Sequence, residues 1–254
     1  MIKIDWRHGP EAGSFGAVYR GLDEETGEAV AVKVLMNDDG ESAAAFVDEY
    51  RIMRHLQGAA CVPRVRGLSI IAAPGHPEID GRRGLFMEWL RGRTLKQLIA
   101  RHRTLGERDA VRLARSVLRA VGSLHGHDIL HRDLHPGNMH LSRLGEVKIL
   151  DYGEACSVWL AHLGKKGLYL TNGYEPPEAA RGDGWSMASD VYMVARSLVH
   201  ARYGTLLRLE DLPADAFGIW AGMCMQDDPA LRPQTCGEAA DRLPTWSDRR
   251  ACAR

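Results

Sequence analysis

Between residues 14 and 36 apolar and polar positions alternate with the period of paired strands. Ser14-Phe15-Gly16-Ala17-Val18-Tyr19-Arg20 makes one run and Ala29-Val30-Ala31-Val32-Lys33-Val34-Leu35 the next, with a Glu-Thr-Gly turn at 25–27 between them. The period then changes. Over residues 42–56, Phe46, Glu49, Met53 and Leu56 fall on one helical face, and Gly58 stops the helix. Residues 62–90 return to strand-like runs, broken at Ala72-Ala73-Pro74-Gly75-His76-Pro77, which reads as an exposed loop. After Trp89 helices prevail: a short one over 94–102, then a long amphipathic one ending near His125, opened by a capping box at Thr104-Leu105-Gly106-Glu107. Short strands are predicted at 138–141 and 147–150, and helices dominate again from Trp185, with another cap at Thr235-Cys236-Gly237-Glu238. No repeat or low-complexity linker interrupts the chain. A strand-rich first third and a helix-rich remainder predict two lobes, connected near residues 88–92.

Composition narrows the partners. Lys+Arg and Asp+Glu balance at 33 each, so neither nucleic acid nor an anionic membrane is expected as a main partner. The basic side is rich in arginine, with lysine only at 3, 33, 96, 148, 165 and 166, which gives weight to a lysine in a motif position. Five cysteines (Cys61, Cys156, Cys224, Cys236, Cys252) show no CxxC spacing and read as thiols of a reducing compartment. The start, Met1-Ile2-Lys3-Ile4-Asp5-Trp6, has no apolar leader region, and no run approaches the length of a membrane span. A soluble, cytoplasmic protein is expected.

The densest chemistry lies in His131-Arg132-Asp133-Leu134-His135-Pro136-Gly137-Asn138 and, further on, Asp151-Tyr152-Gly153. Asparagine follows the first aspartate by five residues and a second aspartate follows it by eighteen. Magnesium-dependent phosphoryl transfer needs such a set: one carboxylate to take the proton of an attacking hydroxyl, and two hard oxygens for the metal. A His-Arg-Asp triplet alone is a common charged turn. Asn138 and Asp151-Tyr152-Gly153, behind the apolar run 147–150, make chance a poor explanation.

These motifs resemble the protein kinase family, and the resemblance covers roughly residues 10–243. It implies a two-lobed α+β kinase fold: a small, mainly antiparallel β lobe with one key helix over 1–89, and a larger helical lobe over 90–254. It also implies ATP and Mg2+. Asp133 would be the base, and Asn138 and Asp151 the magnesium ligands. Lys33 would contact the α- and β-phosphates and pair with Glu49. Glu11-Ala12-Gly13-Ser14-Phe15-Gly16-Ala17-Val18 resembles the glycine-rich loop, with Glu11 replacing the first glycine. Gly13, Gly16, Val18 and Ala31 thereby join the nucleotide set. Met87 would be the gatekeeper, and the Glu88 carbonyl and Leu90 amide would bond the adenine edge.

Further departures from the family pattern are His135 in place of a lysine that helps neutralise the γ-phosphate, and Tyr152 in place of phenylalanine. The floor of the adenine pocket falls to His140 or, with a slip of one residue, to Leu141. The Leu-His-Pro-Gly-Asn half of the loop is also similar to small-molecule phosphotransferases. Against that stand Glu178, Asp190 and Arg232, whose family counterparts pin a peptide-docking floor, although Pro176 and Ala195 depart from the usual alanine and glycine. The resemblance then implies transfer to serine or threonine of a protein substrate. Thr171 would help position Asp133, Ser157 and then Tyr169 would be the activation-segment phosphosites, and a regulatory protein is a plausible partner. Two rivals stay open: a small-molecule kinase, and a pseudokinase acting as a binding module, motivated by Glu11, His135 and His140.

Overall fold

The computed structural model describes residues 2–6, 11–13, 16–102, 104–163, 171 and 173–245. Two short strands, β1 (Ile2–Ile4) and β2 (Glu11–Gly13), both pair with β3 (Gly16–Asp23). β3 turns into β4 (Ala29–Leu35), the Gly27 N–H donating to the Asp23 carbonyl at 2.8 Å. Helix α1 (Gly40–His55) follows, capped by Asp39, whose carboxylate accepts from the Ser42 N–H at 2.7 Å. Strands β5 (Val65–Ile70) and β6 (Arg83–Glu88) complete an antiparallel sheet of order β1-β3-β4-β6-β5, with β2 also on β3.

Register gives the sheet two different faces. Val18, Lys33 and Leu85 stand opposite one another, as do Ala31 and Met87, so these five share one face. Leu85 and Met87 there pack with Phe46, Met53 and Leu56 of the α1 segment. Tyr19, Val30, Val32 and Val34 form the other face, covered by Ile71, Ala73 and Ile79 from the β5–β6 connection. The loop expected at 72–77 is present and mostly exposed, but Ala73 within it and the flanking Ile71 and Ile79 turn inward over a second small core. The reason is that β4 is apolar on both faces and needs partners on each. Asp80 fastens the cover by accepting from the Ala73 N–H at 2.8 Å.

Beyond the sheet come β7 (Gly92–Thr94) and α2 (Leu95–His102), where Thr94 and Gln97 cap each other reciprocally at 3.2 and 3.0 Å. Helix α3 (Glu107–His125) has Gly106 at its N-cap, so the capping box expected at Thr104 does not form. The Leu105 N–H donates to the Ala201 carbonyl at 2.9 Å, and the Glu107 carboxylate accepts from the Phe217 N–H at 3.2 Å instead. The chain continues through β8 (Ile129–Leu130), β9 (Met139–Ser142), β10 (Val147–Ile149), β11 (Cys156–Ser157), α4 (Pro177–Arg181), α5 (Met187–Tyr203), α6 (Ala216–Cys224) and α7 (Cys236–Asp241). β10-β9-β7 form one small sheet and β11-β8 another. Helix α3 packs on α5 and α7. One apolar core runs from Leu35, Phe46 and Leu85 through Tyr152 to α3, α5 and α6, so both halves of the molecule share it. Among the described residues no helix is long and apolar enough to cross a membrane.

Candidate active site

Residues 131–138 leave β8 in a conformation set from beneath by Asp190, which α5 buries completely. Its carboxylate accepts the His131 N–H at 2.9 Å and the Arg132 N–H at 3.0 Å, and the His125 Nε2 lies 2.9 Å away. Burial alone would raise the Asp190 carboxyl, but the His125 ring and the His131 N–H outweigh it and hold it below the usual range. This anchorage supports Arg132 at φ 64°, a left-handed conformation that non-glycine residues seldom adopt. Asp151 stands in the same region at φ 61°. His131 links the two turns: its Nδ1 accepts the Asp133 N–H at 3.3 Å, so Nε2 carries the proton donated to the Leu150 carbonyl at 3.0 Å. Burial holds that imidazole neutral by lowering its pKa.

Asp133 has both carboxylate oxygens engaged. Asn138 Nδ2 donates to Oδ2 at 3.0 Å and Thr171 Oγ1 to Oδ1 at 2.9 Å. Asn138 Nδ2 also donates to the Asp133 main-chain carbonyl at 2.9 Å, so the side-chain amide nitrogen is committed and its oxygen remains for a cation. Burial would raise the Asp133 carboxyl, yet His135, His131 and the Thr171 hydroxyl together hold it low and ionised at neutral pH. His135 caps the single turn Pro136–Asn138, its Nδ1 accepting the Gly137 N–H at 3.0 Å. In the neutral ring the proton then sits on Nε2, which is buried without a hydrogen-bond partner and lies 3.5 Å from Asp133 Oδ2.

Lys33 crosses the cleft from β4. Its Nζ lies 2.8 and 2.7 Å from the two Glu49 oxygens and 2.8 Å from Asp151 Oδ1. Burial would lower the ammonium pKa, but the Asp151 and Glu49 carboxylates outweigh it and keep Lys33 charged. Glu49 lies on the buried face of α1 with Phe46 and Met53, as the helical period requires. Two carboxylates, Glu49 and Asp151, thus converge on one fixed cation. That excess of negative charge, with the Asn138 amide oxygen and the remaining Asp151 oxygen, fits a magnesium ion, which takes few protein ligands and completes its shell with phosphate and water.

Residues 12–211 match the protein kinase domain family. The chain belongs to the protein kinase family. A probable serine/threonine-protein kinase PknB of Lactococcus lactis is 32% identical over 72% of this chain and 28% of its own length. The serine/threonine-protein kinase PknK of Mycobacterium tuberculosis is 28% identical over 91% of this chain and 22% of its own. PknA of the same species is 32% identical over 71% and 42%. The chain therefore spans less than half the length of each of these relatives.

Register and packing place the remaining residues expected in the site. Gly13 pairs with Gly16 across the β2–β3 hairpin; Ser14 and Phe15 lie outside the described residues, as does Tyr169. Val18 and Ala31 lie on the Lys33 face of the sheet, with Ala31 opposite Met87. Leu90 follows the end of β6 and is half-buried. In the β9–β10 ladder His140 stands opposite Lys148, whereas Leu141 packs against the large core. The His140 ring also lies under the connection between lobes: a Cβ on Gly92 (φ 154°) would strike it and the Leu141 carbonyl.

Thr171 meets Asp133, and Ser157 sits on β11, half-buried. Glu178 and Arg232 form a buried bidentate pair at 2.7 and 2.8 Å, joined by the Ser189 hydroxyl at 2.7 Å. Some partners were not foreseen from the residue pattern. Lys148 reaches back to the Glu88 carboxylate and, at 3.1 Å, to the Val62 carbonyl, tying the large lobe behind the connection. His125 under Asp190 and Ser189 beside Glu178 were also missed. The scarcity of lysine was the one available signal for Lys148.

Proposed function

We propose that this chain transfers the γ-phosphate of ATP to a serine or threonine hydroxyl of a protein substrate, with Mg2+, in the cytoplasm. The observation that carries the reading is Asp133: an ionised carboxylate held from both sides by Asn138 and Thr171, across the cleft from a charged Lys33 that Glu49 and Asp151 orient. When bound, magnesium neutralises the triphosphate and draws charge from the bond that breaks. Asn138 and Asp151 would hold it. Lys33, kept cationic and aimed by two carboxylates, binds phosphate oxygens.

Asp133 orients the acceptor hydroxyl and accepts its proton as the new O–P bond forms. His135 Nε2–H supplies a hydrogen bond to the transferring group, at the position where the kinase family pattern has a lysine. Gly13 and Gly16 admit phosphates close to the backbone, and Val18, Ala31 and Met87 face the base. Glu88 and Leu90 present main-chain groups to its edge. For the floor, the His140 ring against Gly92 supports His140, and Leu141, whose carbonyl lies against the same glycine, is the other candidate.

Protein is favoured as substrate by the Glu178–Arg232–Ser189 cluster, which makes the segment after Thr171 a rigid floor. The names of the relatives support serine or threonine as acceptor. The compartment is supported by described cysteines that stand as free thiols at 61, 156, 224 and 236. Ser157 is the activation-segment phosphosite we assign, and a regulatory protein is the partner. Mass spectrometry of the chain and of a lysate after Mg-ATP addition should show new phosphoserine or phosphothreonine, lost in Asp133→Asn. Label appearing only on sugars, aminoglycosides or choline would refute the protein substrate.

A further inference from the structure

Besides Arg132 Nη2, two buried polar atoms without partners lie close along the chain to the Thr171–Asp133 hydrogen bond: His135 Nε2 and Glu175 Oε2. The first is a donor and the site's phosphate chemistry accounts for it. The second is a carboxylate oxygen, and nothing in the transfer reaction uses it. A buried, unpaired anionic oxygen is costly, so native structures seldom keep one unless a ligand completes it.

The position of Glu175 is fixed from both sides. Thr171 is bonded to Asp133, and the Tyr174 N–H returns to the Thr171 carbonyl at 3.2 Å, which brings the chain round in a turn beside the base. The Tyr174 ring sits 6.1 Å from the His135 ring, and its hydroxyl is 2.5 Å from His200 Nδ1. Three residues past Glu175, Glu178 is locked to Arg232. Glu175, half-buried, therefore lies in the segment between the Thr171–Asp133 bond and the Glu178–Arg232 pair. Among the described residues no cation pairs with it. Arg196 donates to the Gly173 and Leu207 carbonyls, Arg181 pairs with Asp183, Arg232 with Glu178, and Arg132 bonds the Glu154 carbonyl and faces Trp185.

We propose that Glu175 is a specificity residue that selects protein substrates with a lysine or arginine close to the acceptor serine or threonine. The free carboxylate accepts that cation's hydrogen bonds in the docked complex. This rests on the kinase reading above and deepens it, since it names a chemical class of substrate. A charge-assisted bond at a partly desolvated site changes affinity by roughly 10- to 100-fold. The interaction is made with substrate and transition state alike, so the effect should lie in KM more than in kcat.

The test is a set of serine and threonine peptides, each with arginine, alanine or glutamate placed in turn at every position near the acceptor. These are phosphorylated by the full chain with Mg-ATP. At one position the wild type should prefer arginine over alanine by at least about tenfold in kcat/KM. In Glu175→Gln that ratio should collapse towards one through a raised KM, and in Glu175→Arg glutamate should become the preferred residue at the same position. Autophosphorylation and thermal unfolding of each variant show that it is folded and loaded. Transfer by the wild type with no arginine preference at any position overturns the inference while leaving the kinase reading standing. A preference that survives unchanged in folded Glu175→Gln does the same. Absence of transfer to every peptide and to the chain itself overturns both.

Discussion

Arg232→Met removes the guanidinium while keeping much of the side chain's length, and the structure says what is left behind. Arg232 donates to both Glu178 oxygens at 2.7 and 2.8 Å, and to the carbonyls of Gln226, Asp227 and Ala188 at 2.6, 3.1 and 3.4 Å. Its guanidinium also lies 4.8 Å from the centre of the Tyr192 ring. Without it, Glu178 keeps the Ser189 hydroxyl and is otherwise a buried, uncompensated anion. Breaking one side of such a pair costs about 3–5 kcal/mol. For a chain of this length each kcal/mol moves the midpoint by about 2–4 °C, so Tm should fall by roughly 6–20 °C. Circular dichroism melts at a fixed scan rate measure it.

The double variant Arg232→Met/Glu178→Leu leaves no buried charge and should recover part of the loss, giving a clear coupling term in the four-protein cycle. The pair also predicts a pH dependence. Burial would raise the Glu178 carboxyl, but hydrogen bonds from Arg232 and Ser189 outweigh it and hold it below its usual 4.5. A carboxyl depressed in the folded state stabilises fully above the unfolded value and loses that contribution as pH falls through the folded one. The gap in Tm between wild type and Arg232→Met should therefore narrow below about pH 4.5. A single variant that melts within about 2 °C of wild type, or a double variant showing the plain sum of two losses, would refute the reasoning.

Lys33→Met leaves Glu49 and Asp151 facing each other without their shared cation, and should lower transfer by at least about 100-fold and weaken nucleotide binding measured by calorimetry. Asp133→Asn keeps the size of the side chain and removes the proposed base; phosphate transfer should drop by about 100- to 10,000-fold with nucleotide affinity nearly unchanged. Thr171→Ala should cut kcat by about 10- to 100-fold with little change in nucleotide KM, and Thr171→Ser should restore most of it, since the hydroxyl to Asp133 is what matters. Gly92→Ala should destabilise by about 1–3 kcal/mol in chemical denaturation, because a side chain at φ 154° strikes the Leu141 carbonyl and the His140 ring.

The legible parts of this molecule are those where a single element's period already determines the outcome. Lys33 and Glu49 meet because alternation puts one on the inner face of β4 and the helical period puts the other on the inner face of α1. The β5–β6 connection shows a mixed case: its Ala-Ala-Pro-Gly stretch is mostly solvated as its composition suggests, but only the second apolar face of β4 explains why Ala73 within it and the flanking Ile71 and Ile79 are buried. The capping box at Thr104 failed for a similar reason. A hydrogen bond from Leu105 to the distant Ala201 decided where α3 begins, and no local pattern contains that contact.

The catalytic loop shows why distant residues set what the motif only names. Arg132 and Asp151 both occupy left-handed backbone conformations, each costing of order 1–3 kcal/mol for a residue with a side chain. Such strain persists only where other contacts over-determine the fold. Asp190 supplies them for the first turn, accepting two successive main-chain N–H groups while His125 holds its carboxylate. His131 transmits that order to the second turn through the Leu150 carbonyl, next to Asp151. Asp133 and Asp151 are therefore placed by one buried carboxylate and one neutral ring, fifty-nine residues apart in the chain at Asp190 and His131. Asp190→Asn should accordingly disturb both catalytic turns together: one amide oxygen cannot accept two main-chain donors on opposite sides and a histidine as well. Loss of Mg-ATP binding and of transfer in a protein that still shows native helix content would be the signature. If nucleotide binding survives intact, the second turn is held by something other than His131.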